Sequence, residues 1–253
     1  MNHKVKKKGG ICLVSRREFL KGAGLAIGGM ALGGGIVGTI AANMSSSKET
    51  PKGDHHVETT EYNKALMFFT PTEHAVIDAA AERIFPKDEN GPGAKELLVS
   101  YFIDHQLAGA WGTGSKEYRQ GPFYPGEPTQ GYQGHLNKQQ IFRLGIEALQ
   151  NEAKKRFNQS FTSLEGSQQD EILQAFEKGE VEIKGVSSSY FFSLLRSATL
   201  EGVYADPLYG GNRNMEGWRM KKFPGHQMSF ADIIDKDEFV VIEPQSLHSQ
   251  HHS

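Results

Sequence analysis

The chain has 253 residues and a nearly balanced charge, with 28 lysines and arginines against 30 aspartates and glutamates. Its single cysteine is Cys12, which excludes an internal disulfide, a cysteine-ligated iron–sulfur cluster and a Cys-x-x-Cys-His haem attachment. Residues 1–42 hold seven of the basic and one of the acidic residues, and the remaining 21 basic against 29 acidic residues disfavour nucleic-acid binding.

Residues 1–42 have the three parts of an export signal, namely a basic stretch, an arginine pair and an uncharged run. The pair lies in a pattern that resembles the twin-arginine motif at Ser15, Arg16, Arg17, Phe19, Leu20 and Lys21. The 21 uncharged residues that follow contain eight glycines, which lowers their hydrophobicity. We therefore expect a folded protein exported by the twin-arginine translocase to the outer face of the cytoplasmic membrane, the periplasm or the cell-wall side.

The fate of this signal is left open by the sequence. The residues before Asn43 only weakly match the small-x-small pattern of a cleavage site. A run of 21 uncharged residues is also long enough to span the ~30 Å hydrocarbon core of a bilayer as a retained anchor. A polar tether is predicted over residues 43–65, a folded domain over 66–245 and a disordered histidine-containing tail over 246–253, with no metal site.

The domain is predicted to be all-α, with long loops rich in glycine, proline and aromatic residues. Apolar residues at helical spacing predict five helices, at Pro71–Phe85, Ala94–Leu107, Asn137–Phe157, Ser163–Lys178 and Ser187–Tyr204. The first has a capping threonine, Thr70, with proline at the first helical position and glutamate three residues after the cap. No alternation of period two is sustained before Phe239, which argues against a sheet.

Two segments stand out between these helices. Residues 109–134 form a long loop that is rich in aromatic side chains, which serve either as a docking surface or to fold the loop onto the helices; they are Trp111, Tyr118, Phe123, Tyr124 and Tyr132. After the last long helix, residues 201–225 combine Asp206, Pro207, two glycines and Asn212 in a series of tight turns. This predicts a rigid but irregular loop.

The sequence of residues 201–225 resembles that of the small subunit, called subunit 3 or gamma, of membrane-bound gluconate 2-dehydrogenase and related sugar and polyol dehydrogenases. The resemblance also includes the twin-arginine signal and the segments 70–86, 91–94 and 168–173. It implies a noncatalytic subunit that binds no cofactor itself. The partner would be a large flavoprotein of the glucose-methanol-choline type that binds FAD, often with a cytochrome subunit whose haem passes electrons to the quinone pool.

The residues of this loop are accordingly predicted to contact the partner, and none is predicted to be catalytic. The candidates are Asp206, Pro207, Tyr209, Gly210, Gly211, Asn212, Arg213, Trp218, Pro224 and Gly225. A second hypothesis is a stand-alone exported enzyme or sugar-binding domain, in which Asp206, Tyr209, Arg213 and His226 form an acid–base site. The two hypotheses differ in whether these side chains face a partner or one another.

Overall fold

The computed structural model describes residues 64–124 and 126–247. The predicted twin-arginine signal, the tether before residue 64 and the tail after residue 247 lie outside them. The described chain contains seven α-helices and one two-stranded sheet. They are α1 (Pro71–Ile84), α2 (Val99–Ala108), α3 (Ala110–Thr113), α4 (Lys138–Phe157), α5 (Gly166–Glu177), β1 (Glu182–Ile183), β2 (Val186–Ser187), α6 (Ser188–Tyr204) and α7 (Glu216–Lys221). None of the described helices combines the length and apolar character needed to cross a bilayer.

The all-α prediction is confirmed, and the first helix begins as its sequence predicts. The Thr70 hydroxyl accepts a hydrogen bond from the Glu73 backbone at 3.3 Å, and the Glu73 carboxylate accepts one from the Thr70 backbone at 2.8 Å. This reciprocal capping satisfies amide groups that the first helical turn leaves without partners. The predicted apolar face of α1 is buried, namely Val76, Ile77, Ala80 and Ile84.

The second helix differs from its prediction, since α2 begins at Val99 rather than at Ala94. Leu98 has φ +58° and ψ +33°, a left-handed conformation that interrupts a right-handed helix. Ala94 and Leu97 are nevertheless fully buried. The apolar pattern therefore predicted the burial of these residues correctly, but their helical conformation wrongly. The helix predicted from Ser163 begins at Gly166 after a short 3-10 turn, and the small sheet was not predicted.

Helix α6 lies at the centre of the fold and packs against α1, α2, α4 and α5. Its Phe191 contacts Phe142 of α4 and Phe176 of α5 edge to face, with ring centroids 5.7 and 5.9 Å apart. All three rings are fully buried, and such aromatic pairs add stability beyond the area that they bury. These contacts fix the first turn of α6, and at its other end, from which the candidate loop departs, Val203 is fully buried and Gly202 lies against Phe102 of α2.

An ion pair adds a polar link between the first and fifth helices. Arg83 of α1 donates two hydrogen bonds of 2.7 Å to Asp170 of α5, one to each carboxylate oxygen. These hydrogen bonds raise the pKa of Arg83 further above its ordinary value. Because the pair is bidentate and partly shielded from solvent, it fixes the relative orientation of the two helices more strongly than an exposed pair would.

A buried carboxylate holds the start of the described chain against the helices. Asp104 of α2 is fully buried, and its two oxygens accept backbone hydrogen bonds from Met67 at 2.6 Å, Phe68 at 3.1 Å and Phe69 at 2.7 Å. From α4, Arg143 lies 4.5 Å from the centroid of the Phe68 ring and donates to the Phe68 carbonyl. The segment that leads into α1 is therefore part of the packed domain.

Candidate partner interface

The candidate loop begins where α6 ends, and Asp206 holds its first turn. One oxygen of the Asp206 carboxylate accepts hydrogen bonds from the Leu208 backbone at 2.9 Å and from the Ser246 hydroxyl at 2.6 Å. The other accepts one from the Leu247 backbone at 2.9 Å. Asp206 therefore caps the 3-10 turn Pro207–Tyr209 and attaches Ser246 and Leu247, the first residues of the predicted tail, to the loop.

The middle of the loop is held by Asn212 and by glycines in close contact with helices. Asn212 is fully buried at φ +40°; its side chain donates to the Ala205 carbonyl at 2.7 Å and accepts from the Gly217 backbone at 2.8 Å. Gly211 has φ +71°, and a Cβ at this position would collide with the Gly202 carbonyl oxygen of α6. Only a residue without a side chain fits there, because both the conformation and the space exclude one.

The second half of the loop closes around Trp218 of α7. Trp218 is buried, donates a hydrogen bond from its indole nitrogen to the Tyr204 carbonyl at 2.8 Å, and meets the Phe223 ring edge to face. Beyond it, Pro224 and Gly225 pair with a distant strand-like segment, since the Pro224 carbonyl accepts from the Gln245 backbone at 3.1 Å. The loop is thus fixed by contacts within the chain along its whole length.

The predicted interface residues consequently fall into two groups. Gly210, Gly211, Asn212 and Trp218 are buried and shape the loop. Asp206, Pro207, Arg213, Pro224 and Gly225 are partly buried, and of the predicted residues only Tyr209 is exposed. The structure adds Leu208 and Phe223, whose side chains are 46% and 49% exposed beside Tyr209 at 52%. Large apolar residues in a turn-rich segment were the signal that could have identified them.

The acid–base hypothesis finds no support in this geometry. In the described chain, no side-chain hydrogen bond or ion pair joins any two of Asp206, Tyr209, Arg213 and His226, and three hydrogen bonds from the chain itself use most of the acceptor capacity of the Asp206 carboxylate. A general base needs to reach a substrate proton with a free lone pair. Over residues 64–124 and 126–247, no group of three or more His, Cys, Asp or Glu side chains is arranged to hold a metal ion.

The aromatic loop at residues 109–134 is folded onto the helices by two of its aromatic side chains, and its use as a docking surface stays a prediction. Trp111 packs against Phe142 of the core, and Tyr132 stacks on Tyr190 of α6 with a centroid distance of 4.6 Å. These two residues fold the loop onto the helices. The other three aromatic side chains of the loop are exposed, namely Tyr118, Phe123 and Tyr124.

One imidazole ring lies between the start of the described chain and the candidate loop. The Nε2 atom of His105, on α2, forms a hydrogen bond of 2.9 Å with the Ala65 carbonyl. Its Nδ1 atom would lie 3.3 Å from a Cβ placed on Gly210. Since Asp206 also holds Leu247, both ends of the described chain reach the domain next to this loop.

Comparison with known sequences agrees with this description. The sequence model of a family described as gluconate 2-dehydrogenase subunit 3 matches residues 71–225, which is more than half of the 253-residue chain. The match begins at α1 and ends at the last residue of the candidate loop. Searches of curated proteins and of solved structures find no match. The chain therefore belongs to the gluconate 2-dehydrogenase subunit 3 family, whose members are accessory subunits of a multi-subunit dehydrogenase complex.

Proposed function

We propose that this protein is the noncatalytic small subunit of a membrane-associated, FAD-dependent sugar or sugar-acid dehydrogenase. It binds the flavoprotein subunit, stabilises it and carries it through twin-arginine export. FAD belongs to a flavoprotein of the glucose-methanol-choline type, and haem belongs to a cytochrome subunit where one is present. The complex then acts on the outer side of the cytoplasmic membrane.

The observation that carries this proposal is the rigid loop at the end of the family match. The side chains of Asp206 and Asn212 form hydrogen bonds within the chain, while Leu208, Tyr209 and Phe223 expose apolar surface to solvent. A site for a small polar substrate would require free hydrogen-bonding groups in a concave pocket. Exposed apolar and aromatic side chains on a fixed backbone instead favour a protein partner, because little ordering entropy is lost on binding.

Co-expression with the proposed flavoprotein partner tests the contact surface. The triple variant Leu208→Ser, Tyr209→Ser, Phe223→Ser should weaken the complex by about 10- to 100-fold, since buried apolar anchors dominate binding energy. Copurification and the yield of FAD-loaded flavoprotein are the measurements. Tyr118→Ser, at a side chain that is 90% exposed on the aromatic loop, is the matched control and should leave the complex intact.

A second experiment tests export. Replacing Arg16 and Arg17 by lysine should leave both chains in the cytoplasm, as measured by fractionation and by dye-linked activity at the cell surface. Export of the flavoprotein despite the double change would contradict the carrier role. Flavin absorbance or sugar oxidation by the isolated chain would instead favour the stand-alone enzyme hypothesis.

A further inference from the structure

Residues 226–244, named the C-terminal arm, leave the domain just after the candidate loop and return to it. At the start of the arm the His226 backbone donates to the Gln245 carbonyl at 2.8 Å. Beyond its end, Asp206 binds Ser246 and Leu247. Both ends of the arm are therefore fixed at the candidate loop, although the family match ends at residue 225.

Between its fixed ends the arm has few bonds to the rest of the domain. Its described backbone hydrogen bonds after His226 are local, such as those from Ile233 to the Phe230 carbonyl and from Lys236 to the Ile233 carbonyl. One ion pair of 3.4 Å joins Glu243 to Arg219 of α7. The arm's conformation thus depends little on the helical core.

The arm carries an unusual concentration of exposed apolar side chains. Twelve large hydrophobic side chains are exposed in the described chain, and five of them lie here: Met228, Phe230, Ile234, Phe239 and Val241. Ile234 and Phe239 are 75% and 77% exposed. Apolar side chains scattered singly on a surface need no explanation, but a cluster on one short segment marks an interaction surface. The arm begins three residues after Phe223, which is itself exposed.

The charges of the arm identify the kind of surface that it fits. The exposed charged residues of the arm are Asp232, Asp235, Asp237, Glu238 and Glu243 against the single Lys236. Such a segment is repelled by anionic phospholipids and by the same arm of a second copy. It complements an apolar groove whose border carries lysine and arginine, because opposite potentials steer association and like charges oppose it.

We propose that the C-terminal arm closes over the flavoprotein subunit, inserting its apolar side chains into a groove bordered by basic residues. This inference rests on the proposed function, because it extends the contact of the loop to a second surface of the same partner. The loop supplies the rigid part of the contact and the arm supplies a segment that becomes ordered on the partner. Ordering such a segment on binding costs free energy, which its apolar contacts must offset.

Binding of the full chain to the purified flavoprotein, measured by biolayer interferometry, tests the arm. The variant Phe230→Ser, Ile234→Ser, Phe239→Ser should weaken the affinity at least about 10-fold, mainly through faster dissociation. The variant Asp232→Asn, Asp235→Asn, Asp237→Asn should slow association and lose most of the salt dependence between about 50 and about 300 mM NaCl. Tyr118→Ser and the triple change of Glu89, Glu147 and Glu180 to glutamine are the matched controls and should behave like the wild-type chain.

The outcomes separate the two proposals. Equal affinity of the wild-type chain and both arm variants would overturn the role of the arm and leave the proposed function intact. No binding of the wild-type chain would overturn both. Loss of self-association in the variants, or of binding to vesicles of phosphatidylglycerol and phosphatidylcholine, with flavoprotein binding unchanged, would assign the arm to a second copy or to a membrane and overturn this inference. Since the substituted side chains are exposed, unchanged thermal unfolding should verify that the fold is retained.

Discussion

The two ends of the described chain are each held by one aspartate, and the two aspartates lie in different surroundings. Asp104 is fully buried and accepts three backbone hydrogen bonds from residues 67–69. Asp206 is partly exposed and accepts hydrogen bonds from its own turn and from Ser246 and Leu247. The first makes the N-terminal junction part of the core, whereas the second attaches a segment whose preceding arm stays in solvent. The same chemical group thus yields a structural junction at one end and a surface attachment at the other.

The largest effect is expected from Asp104→Asn. The amide keeps one acceptor oxygen, which can serve Phe68 and Phe69, and turns its own N–H₂ toward the Met67 N–H group at a fully buried position, so the free energy of unfolding should fall by about 3 kcal/mol. Urea unfolding followed by circular dichroism measures it, with Glu89→Gln at an exposed position as the control. A loss below about 1 kcal/mol would place the junction outside the core and remove the contrast between the two aspartates.

Gly211→Ala tests whether the loop is as tightly packed as the core. We expect this substitution to lower the free energy of unfolding by about 2 to 3 kcal/mol. Part of this comes from the left-handed backbone and the rest from the collision with the Gly202 carbonyl. Gly179 is a matched control, since it has φ +76° and a Cβ there would meet no atom closer than 3.8 Å. Gly179→Ala should therefore lower the free energy of unfolding by only about 1 kcal/mol. Equal losses of unfolding free energy in the two glycine variants would mean that the loop moves to relieve the collision at residue 211.

Asp206→Asn is the matching substitution at the other end of the described chain. It should lower the free energy of unfolding by about 1 kcal/mol, because the groups that donate to Asp206 can form hydrogen bonds with water instead. The more specific expectation is local. Hydrogen exchange at the Leu247 amide should accelerate well beyond that of the helices, since this amide loses its charged acceptor. The flavoprotein affinity should fall as well if the arm acts from this attachment. Uniform acceleration throughout the domain would mean that Asp206, like Asp104, belongs to the core.

The smallest effect is a pH dependence close to Asp104. His74 of α1 is half-buried against the Tyr101 ring, and its Nε2 atom is buried with no hydrogen-bond partner in the described chain. Burial lowers the pKa of His74 below its ordinary value of 6.5, although the Asp78 and Asp104 carboxylates act to raise it. The unfolded state therefore binds the proton more readily, and stability falls as the pH drops below about 6.5. The slope of unfolding free energy between about pH 7 and about pH 5 should shrink in His74→Gln and persist in His135→Gln.

Local chemistry explains which parts of this fold the sequence could predict. The capping of α1 depends on Thr70 and Glu73, which are three residues apart, and the apolar spacing of α4 and α6 repeats within each helix. The conformation of Leu98 could not be predicted in this way, because an apolar residue between two buried neighbours fits the helical pattern as well as a turn. The small sheet has two residues per strand, too few for an alternation to be recognised.

The candidate loop was located from its glycines, proline and asparagine, which do form the predicted series of turns. The direction of its side chains depends on partners distant in sequence. The buried indole of Trp218 donates a hydrogen bond to the Tyr204 carbonyl, 14 residues earlier. The Asp206 carboxylate accepts one from the backbone of Leu247, 41 residues later. A single sequence without structure contains no signal for such pairs, so the inward direction of Trp218 and Asp206 could not be predicted. Leu208 and Phe223 were missed although their large apolar side chains in a turn-rich segment were a signal.

The position of His105 has a mechanical consequence. Because this ring contacts Ala65 on one side and lies next to Gly210 on the other, the chain that precedes the domain meets it beside the loop that we propose as the partner contact. A pulling force applied at residue 64 would act close to a partner bound at this loop rather than across the width of the helical bundle. The torque on the complex would then be small, and the core of the domain would be spared most of the tension.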